Sequence, residues 1–294
     1  MRGYLLWLLP LAAIWGASYL FIKVAGRELQ PTTMMSGRVA VAAVALLLVL
    51  WSRSELGALR RAPIGAYALG ITNAAVPFTL IAWGERHVDS GVAAIANSTM
   101  PIFVAALAIR FRPAERATGS RLLGIMLGLA GVAVLTGGSP GGGWWGVAGT
   151  LAIVLSSVAY AVGTLWGQHL IGEVSGPVLS TAALIGAAVV LLPFGVVEAP
   201  AVVPGWKTIG CVVALGVLGG TVAQLLWFGL LRRYGSSRAS LVSYLLPVTA
   251  LLYGALLLDE RITVSALAGL VLILGGVALG AGAVRLPQRA LPTA

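Results

Sequence analysis

Residues 115–135, ERATGSRLLGIMLGLAGVAVL, and residues 260–280, ERITVSALAGLVLILGGVALG, are two versions of one sequence. At an offset of 145 positions, eleven of the 21 residues are identical, which is more than an apolar composition gives by chance. Because this offset is about half of the 294-residue chain, it indicates a duplicated half and not a short repeat. In a membrane chain, duplicated halves are typical of transporters that keep a substrate site between two repeats.

The composition places the chain in a lipid bilayer. Hydrophobic residues make up 59% of the sequence, charged residues only 10%, and the mean hydropathy is +0.98. A water-facing surface needs more polar residues than this. Apolar runs long enough to cross the hydrocarbon layer lie near 5–25, 32–51, 65–84, 90–110, 118–137, 146–166, 176–196, 207–229, 237–258 and 264–283. We therefore predict an all-α integral membrane protein with ten transmembrane helices.

The basic residues predict the orientation. With the amino terminus in the cytoplasm, 13 Lys and Arg residues lie in inner segments and five in outer segments, and Arg38 lies inside the second span. This bias follows the positive-inside rule and predicts that both termini are cytoplasmic.

The duplicated halves are expected to face in opposite directions. Each half has five predicted spans, an odd number, so the second half enters the bilayer inverted relative to the first. The predicted arrangement is a 5+5 inverted repeat. It divides the chain into a first repeat (1–137), a Gly-rich linker (138–145) and a second repeat (146–294) that ends in a short cytoplasmic tail.

Several function classes are disfavoured. The net charge of +10 is spread over short loops, which suits anionic lipid better than nucleic acid. The one cysteine, Cys211, lies inside a predicted span, so no metal cluster or disulfide framework is expected. No convergent set of acids, bases or metal ligands indicates an enzyme, and no cofactor motif is present.

The sequence resembles the EamA-type branch of the drug/metabolite transporter superfamily. The residues that carry the resemblance are Trp15-Gly16-Ala17-Ser18-Tyr19, Lys23, Pro31, Arg38, Ala82 to Val88, Ser90 to Ile95, Pro101, Glu115-Arg116, Gly124 and Gly131. The second half keeps Ser240, Pro247, Glu260-Arg261, Gly269 and Gly276, but it has Tyr160 in place of Trp15 and no counterpart of Lys23 or Arg38. The resemblance implies a ten-helix inner-membrane carrier that exports amino acids or other small metabolites.

Polar stripes in two spans predict where a solute could pass. Asn97, Ser98 and Pro101 lie on one face of the fourth span, and Ser243, Tyr244 and Pro247 repeat this stripe in the ninth. A proline at mid-span frees a carbonyl group, so each helix is expected to be broken there, with Pro101 and Pro247 as hinges. The alternative is a simple kink whose polar side chains join neighbouring helices.

Other spans offer further candidate contacts for a solute. Trp15, Ser18 and Tyr19 share a face of the first helix, and Tyr160 lies at the matching position of the sixth. These side chains either form an aromatic wall with a polar edge or anchor the helices at the membrane interface. Further candidates are Asn73 in the third helix and Gln224 and Trp227 in the eighth. The two amides either contact the solute or join helices by hydrogen bonds.

Arg38 is the one charge well inside a predicted span. Its guanidinium group could receive the carboxylate of a substrate, or it could reach the interface or bind carbonyl groups of a neighbouring helix. Lys23 lies nearer a helix end and is interpreted as an anchor. Glu115 and Glu260 precede the fifth and tenth helices and are expected to complement the amino termini of these helices. The glycines of these two helices are expected to join the halves closely.

The acidic residues predict the energetics of transport. All nine lie in loops or at span ends, whereas ion-driven carriers usually keep a carboxyl group or a histidine within the membrane. This pattern predicts downhill export or weak coupling.

The predicted function is alternating-access export of small amphipathic metabolites, with amino acids as the first candidates. Efflux of drug-like or quaternary cations and a passive channel remain alternatives. The expected partners are the substrate and the lipid bilayer, and the protein is expected to be a monomer or a homodimer.

Overall fold

The computed structural model describes residues 2–111, 120–137, 143–170, 173–235, 239 and 241–280. Within these residues the regular structure is helical, and no β-strand is present. The helices are α1 (Arg2–Ala25), α2 (Pro31–Ser52), α3 (Leu56–Arg60), α4 (Ile64–Gly70), α5 (Val76–Gly84), α6 (Ser90–Asn97), α7 (Met100–Phe111), α8 (Ser120–Gly137), α9 (Gly143–Leu170), α10 (Gly176–Val197), α11 (Trp206–Ala214), α12 (Ala223–Tyr234), α13 (Val242–Leu257) and α14 (Val264–Gly280).

The helices agree with the hydropathy pattern. A helical segment lies at each of the ten predicted intervals. Among the described residues, seven segments are long and apolar enough to cross a membrane, and three shorter apolar helices cover Leu122–Leu135, Val242–Leu257 and Val264–Leu279. The chain is therefore an all-helical, multi-pass membrane protein, whereas ten full crossings stay a prediction.

The predicted linker is shorter than expected at its carboxyl-terminal end. Gly143, Trp144 and Trp145 are the first residues of α9, and 138–142 lie outside the described residues. Trp144 and Trp145 are exposed, at 74% and 61%, as expected for aromatic side chains at a membrane interface.

Two π-helical segments interrupt the long helices, and the sequence pattern did not predict them. Ile71–Ala75 joins α4 to α5, and Leu215–Val222 joins α11 to α12. At the offset of 145 the first segment corresponds to 216–220, so the two interruptions lie at equivalent places in the halves. A π turn re-aims the side chains that follow it and is frequent at functional sites.

The two prolines predicted as hinges differ in their surroundings. The fourth span is broken at Ser98 and Thr99, directly before Met100 and Pro101, as predicted. The ninth span is not broken at Pro247, because α13 continues through this residue. The expectation of a broken ninth helix at that point is therefore wrong. A proline in an α-helix needs only local adjustment where neighbouring groups satisfy the freed carbonyl.

Helices from the two halves pack against each other throughout the bundle. The principal pairs are α1 with α13, α2 with α10, α5 with α9 and α8 with α14. One large apolar core contains buried residues of both halves.

The predicted close approach of the fifth and tenth spans is confirmed in α8 and α14. A Cβ atom built on Gly276 of α14 would lie 2.5 Å from the Gly124 carbonyl oxygen and 2.7 Å from the Gly128 nitrogen. Only glycine permits so short a separation between two helix backbones.

Candidate functional site

A polar cluster lies inside the bundle where α1, α6 and α9 meet. The Asn97 side-chain amide donates to the Tyr19 hydroxyl at 2.9 Å. The Ser157 hydroxyl donates to the Asn97 side-chain oxygen at 3.2 Å, and the Ser156 hydroxyl approaches that oxygen at 3.4 Å. Tyr19, Ser156 and Ser157 are buried. We call Tyr19, Asn97, Ser156 and Ser157 the central cluster.

The position of Asn97 explains why this cluster forms. Asn97 is the last residue of α6 and immediately precedes the helix break. The Ser157 hydroxyl also contacts the Asn97 backbone carbonyl at 3.2 Å. An amide at this depth is stable only when its donors and acceptors are matched, and the paired serines of α9 supply partners.

Arg38 of α2 lies beside the central cluster and is almost completely buried, at 6% exposure. Its guanidinium carbon lies 3.8 Å from the centre of the Phe78 ring, so one face of the cation is covered by an aromatic ring. Its Nε–H is buried without a hydrogen-bond partner. The group interacts electrostatically with the hydroxyls of Tyr19 and Tyr160, and both belong to the predicted site. A buried cation with an unpaired donor is ready to accept an anionic group.

The second π segment brings a glycine next to Arg38. A Cβ atom on Gly219 would lie 3.1 Å from the Ser18 hydroxyl and 3.6 Å from an Arg38 terminal nitrogen. The Trp15 indole N–H donates to the Gly219 carbonyl at 3.3 Å, and its ring lies 5.7 Å from that of Trp227. Trp15 and Ser18 thus lie against the turn at Gly219, and Trp227 of the eighth span contacts Trp15.

Other predicted residues surround the cluster less closely. The Tyr160 ring makes an edge contact with the Phe78 ring, with 6.4 Å between the ring centres. Asn73 packs against Gly163, and a Cβ atom built on Gly163 would lie 2.1 Å from the Asn73 amide oxygen. Ser98 is buried but donates to the Ala94 carbonyl of its own helix at 2.9 Å. Its hydroxyl is therefore occupied within its own helix, and its role in binding stays a prediction.

The eighth and ninth spans contribute the remaining predicted residues. Gln224, Ser243 and Tyr244 are half-buried, and Tyr244 packs against the large apolar core. No hydrogen bond joins these three side chains to the central cluster in the part of the chain that the structure describes, although Tyr19 belongs to the same apolar core as Tyr244. Their role in binding stays a prediction.

The sequence analysis missed Glu85, Ser156, Ser157 and Phe78. Glu85 follows the last residue of α5, as the hydropathy pattern indicates, but it is 2% exposed. The prediction that all nine acidic residues lie in loops or at span ends holds for Glu85, but this end of the span is buried and not in solvent. The adjacent serines in an otherwise apolar run were a usable signal, whereas the burial of Glu85 depends on how α1 and α5 pack.

The end of the bundle that carries Glu85 and Glu260 is closed by hydrogen bonds, and we call it the Glu85 end. The Glu260 carboxylate accepts from the Ser90 backbone N–H at 2.9 Å, from the Ser90 hydroxyl at 2.7 Å and from the Gly91 N–H at 3.4 Å. It thus complements the amino terminus of α6, which belongs to the other half. The expectation that Glu260 complements the amino terminus of α14 is therefore wrong. Glu115, its counterpart in the repeat, lies outside the described residues.

Lys23 closes the same end and is not a lipid anchor. Its ammonium group donates to the Glu85 carbonyl at 2.7 Å and to the Val88 carbonyl at 2.6 Å. These bonds hold the α5–α6 connection against α1. The closed end therefore depends on one cation and one carboxylate that cross between elements.

Replacement of Glu260 by alanine is expected to weaken this closure and to destabilise the protein by about 1–3 kcal/mol, because Ser90 and Gly91 lose their acceptor. Thermal unfolding in detergent measures the effect. Glu173→Ala, at an exposed carboxylate, is the control and should leave the melting temperature within about 1 °C of the parent. Equal melting temperatures for the two variants would show that the Glu260 contacts do not stabilise this end.

Two open cavities lie at the Glu85 end, and neither is lined by the central cluster. The larger, of about 690 Å³, is a mostly apolar groove between α5 and α9 whose polar residues include Gln30, Arg86 and Glu198. The smaller, of about 190 Å³, is lined by Lys23, Glu85, Arg86 and neighbouring residues of α1 and α5. The gap expected at mid-depth between the halves stays a prediction.

Comparison with known proteins gives matches over nearly the whole chain. A sequence model of the EamA-like transporter family matches residues 2–137 and again 147–281. An uncharacterized transporter of Archaeoglobus fulgidus is 31% identical over 265 residues, which cover 90% of this chain and 93% of the relative. A protein of Escherichia coli K12 named "Probable amino-acid metabolite efflux pump" is 28% identical, with 92% and 91% covered.

Two further matches extend this result. A protein of Streptantibioticus cattleyicolor named "Probable terminal-alkyne amino-acid exporter" is 27% identical, with 93% of this chain and 92% of the relative covered. One solved crystal structure has a TM-score of 0.68 and 19% identity, with 95% of this chain and 96% of that chain covered. At that identity the match supports the fold alone.

Proposed function

The chain belongs to the EamA-like transporter family, and from this premise we propose that it is an inner-membrane carrier that exports small amphipathic metabolites by alternating access. Amino acids are the first candidates for the substrate. The names of the Escherichia coli and Streptantibioticus cattleyicolor relatives point the same way, at 28% and 27% identity.

Arg38 is the observation that carries this proposal. Its guanidinium group is buried beside the central cluster, and its Nε–H lacks a partner. Burial of an uncompensated cation is costly, so such a group is usually kept for a function. A substrate carboxylate would supply the missing negative charge and two acceptor oxygens, which match the fork of the guanidinium group.

The surroundings of Arg38 support a substrate with an apolar or aromatic side chain. Phe78, Tyr160, Trp15 and Trp227 supply aromatic surface within the same region. Tyr19 and Asn97 supply hydrogen-bonding groups next to this surface. A mostly apolar wall with a few convergent polar groups is typical of small-molecule sites.

The helix packing supports the 5+5 inverted repeat that alternating access requires. In the inverted repeat, α1 corresponds to α9, and α13 corresponds to α6 and α7. The pairing of α1 with α13 therefore has a counterpart in the pairing of α9 with α6 and α7, and both pairings occur. The pairs α2–α10 and α8–α14 each join two corresponding helices, so exchange of the halves leaves these pairs unchanged. This two-fold pattern, together with the equivalent π segments, supports two equivalent bundles that rock around a shared site. The positive-inside bias supports cytoplasmic termini, with the Glu85 end facing outward.

Counterflow in proteoliposomes tests the proposal. We expect saturable uptake of labelled L-phenylalanine or L-leucine that is accelerated by unlabelled amino acid on the opposite side. The same amino acid should raise the melting temperature of the purified protein, because a ligand that binds the folded form stabilises it. Non-saturable flux without trans-stimulation would indicate a channel and would contradict the proposal.

The buried Glu85 favours a second candidate, efflux of organic cations. A buried carboxyl group can attract a cation, and Trp15 and Trp227 offer aromatic faces. Lys23 and Arg38 oppose this function, because both place positive charge near Glu85. Counterflow of labelled tetraphenylphosphonium, with no response to amino acids, would favour this candidate.

A further inference from the structure

Glu85 is a buried acid that lies outside the central cluster. It is 2% exposed, and neither carboxyl oxygen has a hydrogen-bond partner. It also follows the carboxyl terminus of α5, where the helix dipole disfavours negative charge. A carboxylate in this position would be desolvated with no hydrogen bond to either oxygen, and this favours the neutral acid.

Charged groups face Glu85 from several helices. Lys23 lies on α1, Arg38 on α2 and Glu260 immediately before α14, and each interacts electrostatically with the Glu85 carboxyl group. The Tyr19 hydroxyl of the central cluster also interacts with it. Burial raises the pKa of Glu85 well above its ordinary value and Glu260 raises it further, whereas Lys23 and Arg38 lower it in part.

Glu85 lies between a cavity at the Glu85 end and the candidate substrate site. On one side, Glu85 belongs to the lining of the 190 Å³ cavity that opens at the Glu85 end. On the other, it lies within electrostatic range of Arg38 and Tyr19 at the candidate substrate site. A coupling group must exchange protons with each side of the membrane in turn, and Glu85 lies between the cavity at this end and the candidate substrate site.

We propose that Glu85 is a proton-binding site that couples export of the substrate to entry of a proton. The coupling part of this proposal rests on the proposed carrier function, whereas the proton site does not. The proposal replaces the expectation of downhill export, which depended on the absence of a buried carboxyl group.

The exchange balances in one step. In the closed state, Glu85 carries a proton, and Lys23 is bonded to the Glu85 and Val88 carbonyls. When an amino acid binds with its carboxylate at Arg38, its ammonium group competes for the Glu85 carboxyl. The proton leaves to water, and the carboxylate then pairs with the ammonium group. Substrate and proton thus occupy the same acid in turn, as antiport requires.

Infrared spectroscopy tests the proton site without any substrate. The purified protein in lipid at neutral pH should show the carbonyl stretch of a protonated carboxyl group, and Glu85→Gln should lose this band. The matched control is Glu28→Gln, since Glu28 is an exposed acid at the same end that accepts from the Gly205 N–H. It should keep the band. Identical spectra for the parent and Glu85→Gln would overturn the proposal.

Transport driven by a pH gradient tests the coupling. Proteoliposomes with an acidic lumen should accumulate labelled L-phenylalanine above equilibrium, because protons leave as substrate enters. Glu85→Gln should show weaker counterflow, because its amide cannot form the ion pair with the ammonium group, and it should lose the accumulation even at substrate concentrations that saturate its counterflow. Glu28→Gln should behave like the parent. Accumulation by Glu85→Gln at the parental level would overturn the coupling. So would a parent protein that shows counterflow and no accumulation. Absence of counterflow in every protein would instead defeat the carrier function, and the infrared result would still decide the proton site.

Discussion

Replacement of Arg38 by methionine is expected to abolish detectable amino-acid binding and to leave the unliganded protein at least as stable as the parent. Loss of one partner of a buried, hydrogen-bonded charge pair costs about 2–5 kcal/mol, which corresponds to a dissociation constant raised about 30-fold to several thousandfold. In the unliganded state the same change removes a buried charge whose Nε–H is unpaired. Replacement of such a charge by an apolar side chain of similar length is often neutral or stabilising. The loss of the contact with Phe78 opposes this gain only in part.

Thermal unfolding with and without L-phenylalanine measures both effects in one experiment. Arg61→Met is the matched control, because Arg61 is exposed and bonds to Gly57 of α3. It should keep the ligand-induced rise in melting temperature. Arg38→Lys keeps the charge but not the planar fork, so it should bind with intermediate affinity. A lower melting temperature with unchanged ligand binding in Arg38→Met would show that Arg38 holds the fold together and does not bind substrate.

The positions of the helices could be predicted because they depend on local hydropathy alone. A stretch such as 176–196 is apolar throughout, and α10 (Gly176–Val197) follows it within one residue. The pairing of α8 with α14 could also be predicted, since repeated glycines at helical spacing indicate close approach. In both cases the information lies within one segment or within two segments that share a sequence.

The electrostatics of the site could be predicted only in part. Arg38 was recognisable because a charge inside an apolar run is conspicuous. Glu85 was not, since a residue at a helix end is solvated or buried according to what packs against it. Here α1 and Lys23 cover it. The role of Glu260 was mistaken for the same reason: its partner, Ser90, is 170 positions away in the other half.

The breaks and π segments of the helix backbones could be predicted only in part from the sequence. The prolines predicted breaks at Pro101 in the fourth span and at Pro247 in the ninth, and only the fourth span is broken. The π segments, in contrast, contain no proline, and the second includes Gly216, Gly219 and Gly220. The tolerance of glycine for close packing accounts for the position of the second segment: a Cβ atom on Gly216 or Gly220 would lie within 2.6 Å of a side-chain atom of α2. The close packing against α2 could not be predicted from the local sequence.

Under the proposed function, these contacts divide the bundle into a scaffold pair, α8 and α14, and a candidate binding part, α1, α6 and α9. The pair α8–α14 contributes no residue to the central cluster, whereas α1, α6 and α9 contribute all of its members. The closed Glu85 end joins α6 to the residue Glu260 before α14. An opening of this end therefore requires α6 to separate from the scaffold pair, while α8 and α14 can remain together.

Replacement of Gly276 by alanine is expected to destabilise the protein strongly, because α8 and α14 would have to separate. The added Cβ atom would lie 2.5 Å from the Gly124 carbonyl oxygen and 2.7 Å from the Gly128 nitrogen. Both obstacles are backbone atoms, which cannot change rotamer to make room. Overpacking costs about 1–3 kcal/mol and occasionally more, and a rigid obstacle places this site at the upper end.

The neighbouring residue provides the control for this change. A Cβ atom on Gly275 meets nothing within 4 Å among the described residues. Gly275→Ala should therefore be neutral or should stabilise the helix by up to about 1 kcal/mol, since alanine has the higher helix propensity. Thermal unfolding of the two variants in the same detergent measures the difference. The substrate affinity of any folded Gly276→Ala protein should equal that of the parent, because α14 lies outside the central cluster. Equal stability of the two alanine variants would contradict the close α8–α14 contact. Weaker substrate binding by folded Gly276→Ala would contradict the division between the scaffold pair α8–α14 and the candidate binding site.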